Sequence, residues 1–269
     1  MATSGAQPKP SAQRRPKSGA RRRKVLQPRS VRGIVPYTSE VVFDLLADDL
    51  GVVEHRPRLD GTSELVWTIL SQHTSDLNAG RAYDALVARF PTWQEVVDAP
   101  TDLLTATIRH GGLAQQKAPR IQAVLSSVLE RVGDYDISFL AEMPLAEAKT
   151  WLQSLPGVGP KTTGVVLSFA LGMPAMAVDT HIFRVSHRLS LIGPKITADE
   201  AHDILEGSIA PERVFAFHVY LITHGRRVCK ALKPLCNACV LSERCPARES
   251  LAVVGDDRKP APGLAAKPL

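Results

Sequence analysis

Between the two chain ends, apolar positions recur at helical spacing almost throughout, and no stretch sustains the strict alternation of a half-buried strand. Val41, Val42, Leu45, Leu46 and Leu50 predict a first helix, with Thr38 or Ser39 as its cap. Leu65 to Ser71 predicts a second, nearly all apolar. Residues 76–90 predict a third, with Leu77, Tyr83, Leu86, Val87 and Phe90 turned inward. Thr92 to Glu95 reads as a capping box for a fourth. Thr101 caps a fifth, which stops at Gly111-Gly112, and Lys117 to Val132 forms a sixth before Gly133. Pro144 opens a seventh, and an eighth carries Thr162, Val165, Val166 and Phe169 on one face. Asp179 starts a ninth, Thr197 to Glu200 caps a tenth, and Pro211 starts an eleventh that ends near Gly225. The expected fold class is all-α.

A length of 269 residues accommodates one large or two modest domains. No run of eighteen apolar residues is present, so no membrane partner is expected. No apolar core follows the N-terminal charges as a secretory signal requires. The formal charge of +6 is uneven: residues 1–39 hold ten Lys/Arg and no acid, and removing those ten leaves the rest at −4. The basic balance therefore belongs to the tail and says nothing of the folded part. Residues 1–34 read as disordered, with Arg21-Arg22-Arg23-Lys24 able to attract phosphates without reading sequence. A solvated solubility tail and an organelle transit peptide are the other readings. The Ala/Pro/Lys-rich end, residues 254–269, also reads as disordered.

The seventh and eighth helices are joined by Leu155-Pro156-Gly157-Val158-Gly159-Pro160-Lys161-Thr162. Gly157 and Gly159 tolerate positive φ, so the turn can be tight, and Pro160 suits a first helical turn. Free amides at a helix start form an anion site, and a DNA phosphate fits it. Lys161 follows directly. Asp179 lies eighteen residues further on, in Val178-Asp179-Thr180-His181. Taken singly, Asp179 reads as a helix cap and Lys161 as a solvated charge. Two helix starts meeting at a cleft would instead pair an amine with a carboxylate. An amine can attack the sugar carbon of an N-glycosidic bond and form an imine; a carboxylate can stabilise the developing positive charge and move protons. Free lysine titrates near 10.4, so burial must outweigh Asp179, which favours the ammonium. This requires a pocket that closes when a base enters.

The four cysteines, Cys229, Cys236, Cys239 and Cys245, form a C-x6-C-x2-C-x5-C set. Nothing indicates export, which argues against disulfides. A zinc ribbon would show two Cys-x-x-Cys pairs and only one is present. An iron–sulfur cluster takes four thiolates, and thiolate chemistry favours it over zinc without excluding zinc. Arg226, Arg227, Lys230, Lys233 and Arg244 lie beside the set and could balance its charge or hold DNA phosphates.

Leu155 to Lys161, Val178-Asp-Thr-His-Ile-Phe-Arg184, His224-Gly-Arg226 and the cysteine spacing together resemble endonuclease III, the iron–sulfur branch of the helix-hairpin-helix DNA glycosylases. The likeness runs from about Val35 to Arg248. It implies a two-lobed fold: a six-helix barrel over residues 54–173, and a second helical lobe from residues 35–53 and 174–253 with a [4Fe-4S] loop. By motif position, Lys161 resembles the Schiff-base lysine, Asp179 the essential aspartate, and the four cysteines the cluster ligands. The implied activity is removal of oxidised pyrimidines from duplex DNA, followed by strand cleavage at the abasic site by β-elimination. The implied DNA-contacting set is Leu155, Gly157, Val158 and Gly159 of the hairpin, with Lys230 and Lys233 of the cysteine loop.

A flipped base leaves a hole in the stack. The resemblance places one filler at Leu113 and the other at His73, where the family usually has glutamine, or at Gln72 one residue earlier; either of the two could insert. Pro160 stands where the family often carries a basic residue. The expected partner is double-stranded DNA bearing damaged bases or abasic sites, bound by a monomer. The expected location is cytoplasmic in a bacterium, or an organelle or nucleus in a eukaryote. A mismatch uracil/thymine glycosylase, an enzyme for alkylated or photodamaged bases, and a catalytically silent DNA-binding module remain as alternatives.

Overall fold

The computed structural model of the protein describes residues 35–252, so the tail assignments at 1–34 and 254–269 lie outside the described residues. Among the described residues every regular element is helical. In chain order these are α1 (Ser39–Leu50), α2 (Gly61–Ser71), α3 (Asp76–Arg89), α4 (Trp93–Asp98), α5 (Thr101–Thr107), α6 (Ala114–Val132), α7 (Leu145–Gln153), α8 (Pro160–Val165), α9 (Thr180–Arg188), α10 (Ala198–Glu206), α11 (Val214–Arg227) and α12 (Arg248–Ala252). A single π-helical stretch, Val166–Ala170, continues α8.

The helix starts follow side-chain chemistry. Thr38, Asp60, Ser75, Thr92, Asp179 and Thr197 each accept a backbone amide of the first turn. At α10 the box is complete, with Glu200 reaching back to the Thr197 amide at 3.1 Å.

Several helix boundaries differ from the sequence reading, including the end of α5 at Thr107 rather than at Gly111-Gly112. Helix α2 begins at Gly61, because Asp60 caps it and Gly61 packs where a Cβ would stand 2.7 Å from Ile137. Helix α6 begins at Ala114, with Leu113 as a left-handed N-cap. Pro100, not Thr101, precedes α5, and the Thr101 hydroxyl donates to Gln122 instead. A short 3₁₀ turn at Pro211–Arg213 leads into α11, which runs two residues past Gly225. Leu77 is 65% exposed, not inward. The buried stripe of α3 is Ala79, Ala82 and Leu86, and Leu77 lies about 200° around the helix from Ala79. Val87 is likewise at the surface.

Two apolar cores result. One is built from Leu65, Ile69, Leu86, Ile121, Leu125, Leu140, Leu152 and their neighbours, and it ends at Ala175. The other takes Tyr37, just before α1, with Val42 and Leu46 of α1, then Met176, Val178, Ile182, Val185, Phe217, Leu221 and Leu241. The chain passes from one core to the other between Ala175 and Met176, in the segment that joins α8 to α9. An ion pair with one buried partner supports the first core. Glu64 is fully buried and receives two hydrogen bonds from Arg58, at 2.9 and 3.1 Å. The Arg58 guanidinium also lies 3.8 Å from the centre of the Trp67 ring.

Candidate active site

The hairpin between α7 and α8 is built on one glycine rather than two. Gly157 has φ +71°, while Gly159 is extended at φ −102° and acts as the N-cap of α8. The side chains of Leu155 and Val158 are buried in the first core, so they anchor the turn. Only their backbone is open to a ligand, and the Val158 amide already donates to Leu155 O at 3.2 Å. A Cβ on Gly159 would meet nothing within 4 Å, so that side of the turn is open. Pro160 takes the first helical position, and the first-turn amides after it have no intrahelical acceptor. Lys161, the second residue of α8, is exposed.

Asp179 caps α9, and its Oδ1 accepts the Ile182 amide at 2.7 Å. The segment before it, Met176 to Val178, is held from four directions. Glu206 Oε2 accepts the Met176 amide at 3.0 Å. His202 Nδ1 stands 3.1 Å from the Val178 amide and 2.8 Å from Met176 O. His218 Nδ1 stands 2.8 Å from Ala177 O. From the fourth side comes Gly164 of α8, where a Cβ would lie 2.8 Å from Met176 O and 3.0 Å from both Ala177 N and Cα. Helix α8, carrying Lys161, thus rests directly on the backbone that delivers Asp179.

His218 of α11 reaches this same segment and was not singled out in the sequence reading, which gave only the bounds of that helix. The ring is buried against Phe169, 5.2 Å away edge-on. Burial pushes its pKa down to about 4; the Asp179 carboxylate opposes that shift, and the Lys161 ammonium and Arg226 reinforce it. Lys161 and Asp179 therefore act on the same buried ring, although one belongs to a helix of the first core and the other to a helix of the second. The only sequence signal for His218 was a histidine on the apolar face of α11.

Two of the three stack-filling candidates adopt left-handed backbone, His73 at φ 55° and Leu113 at φ 50°, while Gln72 has φ −62°. Ser190 is the only other non-glycine with positive φ among the described residues. His73 is exposed and Leu113 is 48% exposed. Gln72 is engaged: Arg120 donates to its Oε1 at 2.9 Å, and its Nε2 lies 3.5 Å from Thr162 Oγ1. Across the cleft, Arg226 at the end of α11 meets Asp76 at the start of α3, at 3.4 Å.

Cys229, Cys236, Cys239 and Cys245 line one pocket with Arg188, His224, Leu235 and Arg248. Arg188 donates to Cys229 Sγ at 3.3 Å and to the carbonyls of Lys230 and Ala231 at 2.7 and 3.0 Å. His224 Nε2 stands 3.6 Å from Cys239 Sγ. Burial pushes the Cys239 thiol up to about 12 and raises Cys236 and Cys245 in the same direction. Among the described residues no three His, Cys, Asp or Glu side chains converge on a single point that would hold one metal ion. Lys230 and Lys233 are exposed on the loop between the first two cysteines.

Residues 66–211 match the HhH-GPD superfamily of base excision DNA repair proteins. Endonuclease III of Thermotoga maritima is 35% identical over 182 residues, covering 67% of this chain and 80% of that protein. The chain belongs to the endonuclease III family. Endonuclease III of Escherichia coli is 31% identical over 189 residues, covering 70% of this chain and 85% of its own length. A longer Arabidopsis thaliana relative, a candidate DNA glycosylase, is 34% identical over 190 residues; these span 71% of this chain and 64% of the plant protein. Among solved structures, a trapped endonuclease III–DNA covalent intermediate superposes with a TM-score of 0.67 at 30% identity, over 80% of this chain and 98% of that one. A thermostable thymine-DNA glycosylase shares the fold, with a TM-score of 0.65 at 20% identity over 79% and 97% of the two chains.

Proposed function

We propose that this endonuclease III homologue is a base-excision DNA glycosylase and abasic-site lyase for oxidised pyrimidines in duplex DNA, with Lys161 and Asp179 as its catalytic residues. The observation that supports this reading is the seat of α8, the helix that begins with Pro160 and Lys161, on the Met176–Ala177 backbone two residues before Asp179. That segment is held by Glu206 and His218 from the other side. Family membership supplies the reaction class.

The chemistry needs few groups. Neutral Lys161 Nζ attacks C1′ of the damaged nucleotide, the C1′–N bond breaks, and the base leaves with the bonding pair and takes up a proton. Asp179 stabilises the positive charge that develops on the sugar. The adduct nitrogen loses one proton, the C1′–O4′ bond breaks as O4′ takes up a proton, and the C1′ iminium that results keeps the other N–H. Loss of a C2′ proton to a base then forms the C2′–C3′ double bond, and the 3′ phosphate leaves with the C3′–O bonding pair. Because Lys161 is exposed in the free protein, the desolvation that favours its neutral form comes from the DNA and the flipped nucleotide. The open side of Gly159 and the first-turn amides of α8 suit a phosphate beside that nucleotide. Lys230 and Lys233 would add phosphate contacts, and His73 and Leu113 would fill the vacated stack. In this reading Gln72 serves the protein rather than the DNA.

The four cysteines suit a [4Fe-4S] cluster. Their pocket is lined by apolar groups and arginines, and buried neutral thiols with raised pKa values need a cationic centre to become thiolates. In a cluster each iron takes one thiolate, so the sulfurs need not converge; a zinc ion would require all four about 2.3 Å from one point. The cluster would supply cross-linking of the loop that carries Lys230 and Lys233, while Arg188 holds the loop's carbonyls.

Borohydride should trap wild-type protein on abasic duplex DNA as a covalent adduct, and Lys161→Ala should abolish trapping. Failure of folded wild-type protein to trap on any abasic substrate defeats the lyase assignment. A panel of single-lesion duplexes, including mismatched uracil and thymine, tests the substrate class. Colourless protein carrying zinc defeats the cluster.

A further inference from the structure

The first two turns of α6 touch three separate segments, all of which face DNA in the proposed function. Lys117 is only 3% exposed, and its ammonium donates to Leu70 O and Gly111 O, each at 2.7 Å. Leu70 lies near the end of α2, two residues before Gln72 and three before His73. Gly111 lies two residues before Leu113. One helical turn further along α6, Arg120 donates to Gln72 Oε1 at 2.9 Å. The same guanidinium covers the hairpin: a Cβ on Gly157 would stand 2.8 Å from its Nε.

The surroundings make a lysine at this position costly. Leu70, Ala118 and Ile121 around it are fully buried, and an apolar side chain would avoid desolvating an ammonium. Desolvation lowers the Lys117 pKa accordingly. What an ammonium does that a methyl group cannot is fix two carbonyls from separate segments to one point. Each of those segments runs directly into a non-glycine residue held at positive φ, His73 on one side and Leu113 on the other. Such backbone persists where the surroundings over-determine it.

We propose that Lys117 and Arg120 are positioning residues for the stack-filling edge. Lys117 sets the separation between the His73 turn and the Leu113 loop, and Arg120 ties the His73 turn to the hairpin through Gln72 and Gly157. Extraction of a base from the stack depends on this interlock, and the chemistry at Lys161 does not. The inference rests on the proposed glycosylase and lyase reading.

The test separates the two steps by substrate. Single-turnover excision of a lesion from a duplex requires the hole to be filled. Cleavage at an abasic site in a single-stranded oligonucleotide requires Lys161 but leaves no hole. Lys117→Met should slow duplex excision about tenfold or more, the scale of a sub-ångström to 1 Å misplacement, and leave single-strand cleavage unchanged. Arg120→Ala should show the same split to a smaller degree, and Lys117→Arg should restore part of the loss. The deficit should shrink when the lesion lies opposite an abasic analogue, where the stack is already broken.

Wild-type duplex excision by both Lys117→Met and Arg120→Ala overturns the proposal. So does a proportional loss of both activities, which marks a purely structural role. If Lys117→Met does not fold, the same comparison on Arg120→Ala decides. Wild-type protein inactive on both substrates instead defeats the underlying glycosylase reading and takes this inference with it.

Discussion

Replacing Gly164 by alanine tests whether the fit of α8 on the Met176–Val178 segment positions the active site. The added Cβ would meet Met176 O at 2.8 Å and Ala177 N and Cα at 3.0 Å, all of them backbone atoms that cannot swing aside. Ordinary contact begins near 3.4 Å, so α8 and the segment must separate by about 0.6 Å. Alanine gains about 1 kcal/mol of helix propensity over glycine, but overpacking a tight contact costs about 1–3 kcal/mol. The net loss is about 1 kcal/mol, which lowers Tm by about 2–4 °C in a chain of this size.

The catalytic effect should exceed the stability effect. Since Lys161 rides on α8 and Asp179 on the segment, their separation changes directly. A misplacement of about 1 Å costs about 100-fold in rate, so 0.6 Å corresponds to about tenfold. Single-turnover excision on a lesion duplex reads the rate, and a thermal melt reads the stability. Gly80→Ala is the control: it lies within α3 and its Cβ would meet nothing within 4 Å, so it should raise Tm slightly and leave the rate alone. If Gly164→Ala behaves like Gly80→Ala, with a raised Tm and wild-type excision, the close approach does not position the pair and the reasoning fails.

Asp179→Asn keeps a capping oxygen for the Ile182 amide and should slow excision strongly while DNA binding, read by fluorescence anisotropy, changes little; equal loss of both would reduce Asp179 to a cap. Arg58→Met should destabilise by about 3 kcal/mol, the lower end for breaking a buried pair, because the Glu64 carboxylate stays fully buried while Arg58 is partly exposed; a chemical-denaturation midpoint unmoved from wild type would contradict that. For pH, the buried His218 has a folded pKa of about 4 against an ordinary 6.5, so the unfolded chain binds the extra proton between those values. Its contribution, on the order of 3 kcal/mol, is complete above pH 6.5 and is lost as pH falls toward 4. Urea titrations from pH 7 to 4.5 should show this decline, and His218→Asn should make it shallower, the remainder coming from His224, which burial also pushes down to about 4, and from His202, lowered likewise; an equally steep decline in the variant would assign the effect to those two rings.

The helical pattern, the hairpin signature and the Cys and Lys/Asp spacings were legible in the sequence because each is local. Apolar periodicity, a capping side chain three residues before its amide, and ligand spacing within one loop need no knowledge of distant contacts. The sequence reading failed where a distant partner decided the outcome. Gly61 reads as a helix breaker until Ile137 is seen to occupy the space a Cβ would need. Gly159 reads like Gly157, but only Gly157 takes positive φ, because the chain turns there and has already become the start of α8 at Gly159. Leu113 is both an exposed loop leucine and the left-handed cap of α6, which shifts that helix three residues earlier.

What the sequence determined by itself was the inventory: an amine and a carboxylate at two helix starts, and four thiols in one loop. What only tertiary structure decided was how α8 seats on the backbone that leads to Asp179. The approach of α8 to Met176–Val178 depends on a missing Cβ at Gly164, a carboxylate from α10 and a ring from α11, which are far apart in the chain. The roles of His218 and Lys117 belong to the same class. A buried histidine or lysine is defined by which backbone carbonyls surround it: Ala177 O lies 41 positions from His218, and Lys117 joins Gly111 O, six positions away, to Leu70 O, 47 positions away.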